Sequence, residues 1–230
     1  MSAPKNIIET FSENLQIPTD VKIGDFVVAR FASSEWANYL PWENWHHVAM
    51  ISQIEPFEII EVSGIILQKK DKETDKKEIR EGVVEYEIKE PRTITLLDGT
   101  NNNNGNLWLH ADLLETAWFR PVFPNPIREI AKWYVPRFKR KIITENEARK
   151  RAVIYARKQL GEPYGITASK WSEGKWYCSL LIYKSYSRSV TDMYLETYGR
   201  SFDIKAGRMV TPEDLADSPR SQLYFSWKKK

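Results

Sequence analysis

The sequence predicts an α+β fold, and three observations predict it. Its first half carries β-branched and aromatic runs such as GDFVVARF, HHVAMISQI and FEIIEVSG. Its second half carries a capping-box signature and apolar residues at helical spacing. No stretch of linker composition separates two cores, so one domain over residues 1–230 is expected.

Taken in order, Gly24-Asp25 opens the strand GDFVVARF. HHVAMISQI follows a tryptophan-rich loop, and FEIIEVSGIILQ after Pro56 reads as the next strand. Residues 69–81, KKDKETDKKEIRE, are almost wholly charged, and a charged hairpin insertion is expected near 69–90. VVEYEIKE alternates apolar and polar residues as an edge strand does. NNNNGN at 101–106 is turn material, and TAWFRPVF from Thr116 is a further strand. PIREIAKWYV has the spacing of a helix ending before Pro136. Thr144-Glu145-Asn146-Glu147 starts another helix, with Ala148, Ala152, Tyr155, Ala156 and Leu160 on one face and Gly161 as its stop. Cys178 to Tyr186 is the next helix, VTPEDLADSP a loop plus one helical turn, and QLYFSW a last strand.

Composition narrows the function classes. A net charge of +3 from 34 basic and 31 acidic residues is too balanced to imply a nucleic-acid partner. The basic run Arg137-Phe138-Lys139-Arg140-Lys141 and the terminal Lys228-Lys229-Lys230 read first as solvated ends of elements, with contact to phosphates or lipid headgroups left open. One cysteine can form neither an internal disulfide nor a thiolate zinc site. No stretch approaches the roughly 20 apolar residues needed to span a bilayer, and MSAPKNIIETFSENLQ lacks a secretory signature, so a cytoplasmic location is expected. No G-x-G-x-x-G, Walker loop, H-E-x-x-H or G-x-S-x-G occurs, so neither a metal nor any other cofactor is expected.

The chemistry that remains centres on Cys178. A thiol becomes a useful nucleophile as the thiolate, and a helix start or a neighbouring imidazolium favours that charge. Cys178 stands where the expected helix begins, yet helical spacing points it along the face of Leu181 and Ile182. Spacing alone therefore leaves two readings, a reactive cysteine and a buried structural one. The candidate bases are His46, His47 and His110. In a strand starting at His46-His47, His47 shares a face with Ala49 and His46 with Val48. Glu61 stands inside an otherwise apolar strand, where a carboxylate is costly unless paired. It is either the acceptor that orients a histidine or a residue on a half-exposed face.

GDFVVARF, HHVAMI, FEIIEVSG, ARKQLGEPYG, WYCSLLIYKSY and VTPEDLADSP, in this order, resemble the circularly permuted papain-like amidases. These form the YiiX/YebB branch of the NlpC cell-wall cysteine peptidase superfamily, and the resemblance spans roughly residues 24–220. It implies a papain-like fold of permuted topology, in which an antiparallel sheet or small barrel packs against the cysteine helix. Carried over by position, it implies Cys178 as nucleophile, His47 as base, Glu61 as third member, and Tyr164 of GEPYG as an aromatic donor near the oxyanion. The family often reads C-S-E-L, whereas here Leu180 follows Ser179. The implied function is bacterial cysteine amidase or peptidase activity on a small cell-wall-derived peptide or a lipid-like acyl amide. Thiol-dependent acyl transfer and an inactive ligand-binding module are the alternatives.

Overall fold

The computed structural model describes residues 7–12, 15–32, 43–64, 66–67, 78–79, 82–88, 94–95, 101–102, 107–109, 113–131, 134–166, 173–191, 193 and 209–229. Its centre is an antiparallel sheet of six described strands, ordered β12-β11-β3-β4-β5-β8. These are β3 (Phe26–Phe31), β4 (His47–Gln53), β5 (Glu58–Val62), β8 (Val83–Glu87), β11 (Leu113–Pro121) and β12 (Ser221–Lys228). Three short hairpin pairs stand apart: β1 (Ile7–Ser12) with β2 (Leu15–Pro18), β6 (Ile66–Leu67) with β7 (Glu78–Ile79), and β9 (Ile94–Thr95) with β10 (Asn101–Asn102). The helices are α1 (Glu145–Arg157), α2 (Cys178–Ser187) and α3 (Pro212–Ala216). The architecture is α+β and fits a permuted papain-like fold.

Strand alternation divides the core in two. Phe26, Val28, Val48, Met50, Ile60 and Val62 face the helices. The intervening Val27, Ala29, Ala49, Ile51 and Ile59 face a second cluster closed by Leu15, Ile17, Trp108 and Trp118. A sheet buried on both faces gives the near-continuous apolar runs seen in its strands. Thr144 caps α1 by accepting from the Glu147 N–H at 3.1 Å, and Ala148, Ala152, Val153 and Ala156 bury its inner face. α1 ends at Arg157, short of Gly161, and Leu160 is exposed. Gly161 still takes the left-handed conformation (φ 82°) in the turn that follows.

Several expectations fail. Residues 126–135 form no helix over their described part. Backbone N–H groups of Glu129 and Ile130 donate to Lys141 and Ser189, and Arg128 and Glu129 bridge to Ile142 and Val190. The apolar spacing there reflects surface residues, since Ile130 and Tyr134 are exposed. The stretch FEIIEVSGIILQ breaks after Val62, where Gly64 lies against the Tyr164 ring; an added Cβ would approach that ring to 2.7 Å. Asn101 and Asn102 are strand rather than turn, and 103–106 lie outside the described residues. The charged segment is flanked by the β6–β7 pair, its centre at 68–77 also lies outside the description, and β8 is an edge strand of the main sheet. No helix among the described residues is long and apolar enough to cross a membrane.

Candidate active site

Cys178 is the first residue of α2, buried at 5 % exposure. The loop before it turns at Gly174 (φ 81°), and Tyr177 is the N-cap without a side-chain capping bond. First-turn backbone N–H groups of a helix have no intrahelical acceptor, so they favour an anion at this position. Ser179 donates to the Val210 carbonyl at 2.8 Å, and Val210 N–H in turn donates to the Tyr177 hydroxyl at 3.2 Å. Both contacts fix the helix start against the segment leading into α3. Leu180, which stands where the family often has glutamate, is fully buried in the helix-side core.

His47 is the first residue of β4, and Glu61 sits on β5 beside Ala49. The His47 Nε2 and the Glu61 Oε2 are 2.7 Å apart. The carboxylate is satisfied by two more donors, the Trp108 indole N–H to Oε2 at 2.8 Å and the Tyr86 hydroxyl to Oε1. The thiol of Cys178 lies close enough to the His47 ring to raise its affinity for a proton. With Nε2 held by Glu61, Nδ1 is the ring nitrogen left for the sulfur.

This meeting spans the two faces of the sheet. His47 and Glu61 have the parity of Ala49 and Ile59, on the face away from the helices, while Cys178 belongs to the helix-side cluster. The contact forms only because His47 begins its strand and Cys178 begins its helix. At the end of the sheet a ring from one face reaches a side chain from the other.

Electrostatics follow from the geometry. Burial disfavours the imidazolium, but the Glu61 carboxylate and the hydrogen bond to Cys178 outweigh it and push His47 up to about 10. Burial likewise disfavours the Glu61 carboxylate, and the His47 charge with the three hydrogen-bond donors holds it below its ordinary range. The pair therefore exists as carboxylate and imidazolium at neutral pH.

His46 is placed differently. Its Nδ1 accepts from the Phe31 N–H at 3.3 Å, and burial with the nearby Arg30 charge lowers its affinity for a proton. It lines a cleft beside Cys178 together with Glu43, Trp45, Tyr177, Met209 and Val210. Tyr164 is not part of that cleft lining. Its backbone bridges to Trp176, two residues before Cys178, and its ring lies on Gly64. His110 lies outside the described residues.

Sequence reasoning missed Trp108, Tyr86 and Glu43. An acid inside an apolar strand signals that buried donors must exist, but nine tryptophans and eleven tyrosines leave their identity open. Glu43 accepts from the Thr211 hydroxyl at 3.2 Å, and the Asn44 backbone N–H and side chain bind Glu213, at 3.0 and 3.1 Å. These bonds seat the segment before β4 on α3. Burial, against the Thr211 bond and with the repulsion of Glu213, Asp214 and Asp217, lifts Glu43 to about 7. Among the described residues no group of three or more His, Cys, Asp or Glu is arranged to hold a metal.

Residues 121–224 match the family model of the permuted papain-like amidase enzymes, YaeF/YiiX, C92 family. Over that span the chain is similar to the permuted papain-like amidases. The family is one of cysteine amidases and peptidases, and the matched residues include the whole of α2 with Cys178. His47 and Glu61 lie before the matched span, on the sheet that α2 packs against. No curated protein and no solved structure matches the chain significantly.

Proposed function

We propose that the protein is a cysteine amidase that cleaves an amide bond through a thioester. What supports this reading most is the Glu61 carboxylate 2.7 Å from the His47 Nε2, with the Cys178 thiol raising the proton affinity of the same ring. The thiolate of Cys178, its proton held by His47, attacks the amide carbonyl carbon, and backbone N–H groups at the start of α2 receive the oxyanion. Tyr164 is assigned as a second donor to that oxygen. His47 delivers its proton to the leaving amine as the C–N bond breaks. It then takes a proton from water, whose oxygen attacks the thioester and releases a carboxylic acid. Glu61 keeps the ring oriented and compensates its charge throughout.

The cleft beside Cys178 is walled by Trp45, Tyr177, Met209, Val210 and Pro212, with Glu43 as its acid. Such a lining suits an apolar acyl group more than a charged peptide, and favours the lipid-like amide over the cell-wall peptide. The same apolar walls limit water access, which supports transfer of the acyl group to an amine or alcohol as the second reading. An acyl-directed probe separates these ideas. It labels the wild-type protein and leaves Cys178→Ala unlabelled, and mass spectrometry with added amine distinguishes free acid from amide product. Equal labelling of both proteins refutes the assignment of Cys178, and slow alkylation by iodoacetamide at pH 6 supports the inactive module instead.

A further inference from the structure

We propose that the loop carrying Phe138 is a docking wedge for an anionic phospholipid bilayer. Phe138 is 74 % exposed, at the middle of the short 3-10 turn Arg137–Lys139, with a cation on each side of it in sequence. Tyr134 and Ile142, 60 % and 59 % exposed, flank it on the same loop. A phenyl ring left in water is commonplace by itself. What distinguishes this one is the framework that holds it out.

Two arginines staple the loop from within. Arg128 Nη1 donates to the Phe138 and Arg140 carbonyls, at 3.4 and 3.0 Å. Arg140 donates from Nε to the Val135 carbonyl at 3.3 Å and from Nη1 to the Thr191 hydroxyl at 2.9 Å. These bonds restrain the loop before any partner arrives, so little conformational entropy is lost when it docks. The surrounding charge is complementary to lipid phosphate. Arg137 and Lys139 are exposed on the loop, and Lys158 and Arg188 line the open hollow that joins Ile130 to Ile154. Two acids of this face are matched by cations: Glu129 is bonded by Arg151 at 2.9 Å, and Glu147 by Arg151 and Lys141 at 2.8 and 3.3 Å. Aromatic and aliphatic tips within a basic field are what the interface of an anionic membrane accepts.

The wedge is tied to the far end of α2 from the cysteine, since Thr191 and Ser189 receive its bonds while Cys178 opens the helix. Ten residues of helix put about 15 Å between the two. Docking there leaves the cleft facing the aqueous side.

Sedimentation of the full chain with vesicles tests this. Wild type is expected to pellet with vesicles of phosphatidylcholine and phosphatidylglycerol, to release at high salt, and to stay in solution with phosphatidylcholine alone. Phe138→Ser is expected to weaken binding about tenfold or more, Phe138→Leu to retain most of it, and Arg137→Glu with Lys139→Glu to abolish it. None of these changes should alter iodoacetamide alkylation of Cys178, which also reports that the variants fold. Failure of wild type to pellet at low salt overturns the proposal. So does undiminished binding by Phe138→Ser, which would describe a generic polycation that RNA should bind equally well. Loss of Cys178 alkylation on vesicles would place the bilayer over the cleft and overturn the assignment of this face.

Discussion

Two opposing effects act on the proton of His47. Burial favours the neutral ring, and Glu61 at 2.7 Å favours the charged one and prevails. Removing the ring with His47→Ala takes away both proton acceptor and proton donor, and kcat for amide cleavage should fall about 1,000-fold or more. His46→Ala should instead act through the cleft wall, changing KM more than kcat, because its Nδ1 is committed to the Phe31 N–H. Steady-state kinetics on an acyl amide checks both. The pair also predicts how stability depends on pH. His47 has a raised folded-state value, so its contribution is fully present below pH 6.5 and fades as pH climbs from there to about 10. Glu61 is depressed, so its share of the same interaction is present above 4.5 and is lost as pH falls through its folded-state value. The difference in Tm between wild type and Glu61→Gln should therefore be largest between about pH 5 and 6.5 and shrink on either side.

Elements in this protein are held to one another by a few buried ionic contacts as well as by apolar surface. Arg149 of α1 reaches the turn before β3, where its Nη1 donates to Asp25 Oδ1 at 2.7 Å and to the Ile23 carbonyl at 3.3 Å. Asp25 is fully buried, and without Arg149 it keeps Arg120 at 3.3 Å and the Lys22 N–H at 3.0 Å on its other oxygen. Arg149→Ala should cost about 1–3 kcal/mol in urea unfolding. Thr144→Ala removes only a helix cap and should cost about 1 kcal/mol. Neither residue touches the cleft, so alkylation of Cys178 in the native state should be unchanged in both variants.

At the scale of the whole molecule, the candidate site exists only where the sheet and α2 meet. By strand parity His47 and Glu61 belong to one face, and Cys178 starts the helix that packs on the other. The chain has a single cysteine, so its reactivity reports that packing without interference. Iodoacetamide at pH 6 should alkylate the native protein faster than the urea-unfolded chain, despite the burial of the sulfur. The loss of that advantage should coincide with loss of the β-sheet circular dichroism signal. A reactivity that outlives the sheet would mean that His47 does not activate the thiol.

By itself the sequence determined most of the kinds of elements. The β-branched and aromatic runs in HVAMISQ and FVVARF, the cap at Thr144 and the start of a helix at Cys178 are local patterns, and each was realised locally. Residues 126–135 misled because apolar spacing alone cannot tell a helix face from an exposed edge. There the backbone donors of Glu129 and Ile130 are taken by distant carbonyls. The anomaly of Glu61 was legible as well, since an acid in an apolar strand must be compensated somewhere. Only the tertiary structure decided which donors compensate it and which histidine pairs with it. It also decided that a cysteine on a core-facing helix stripe can still stand at the mouth of a cleft. Those outcomes rest on contacts between residues distant in the chain, where no local periodicity reaches.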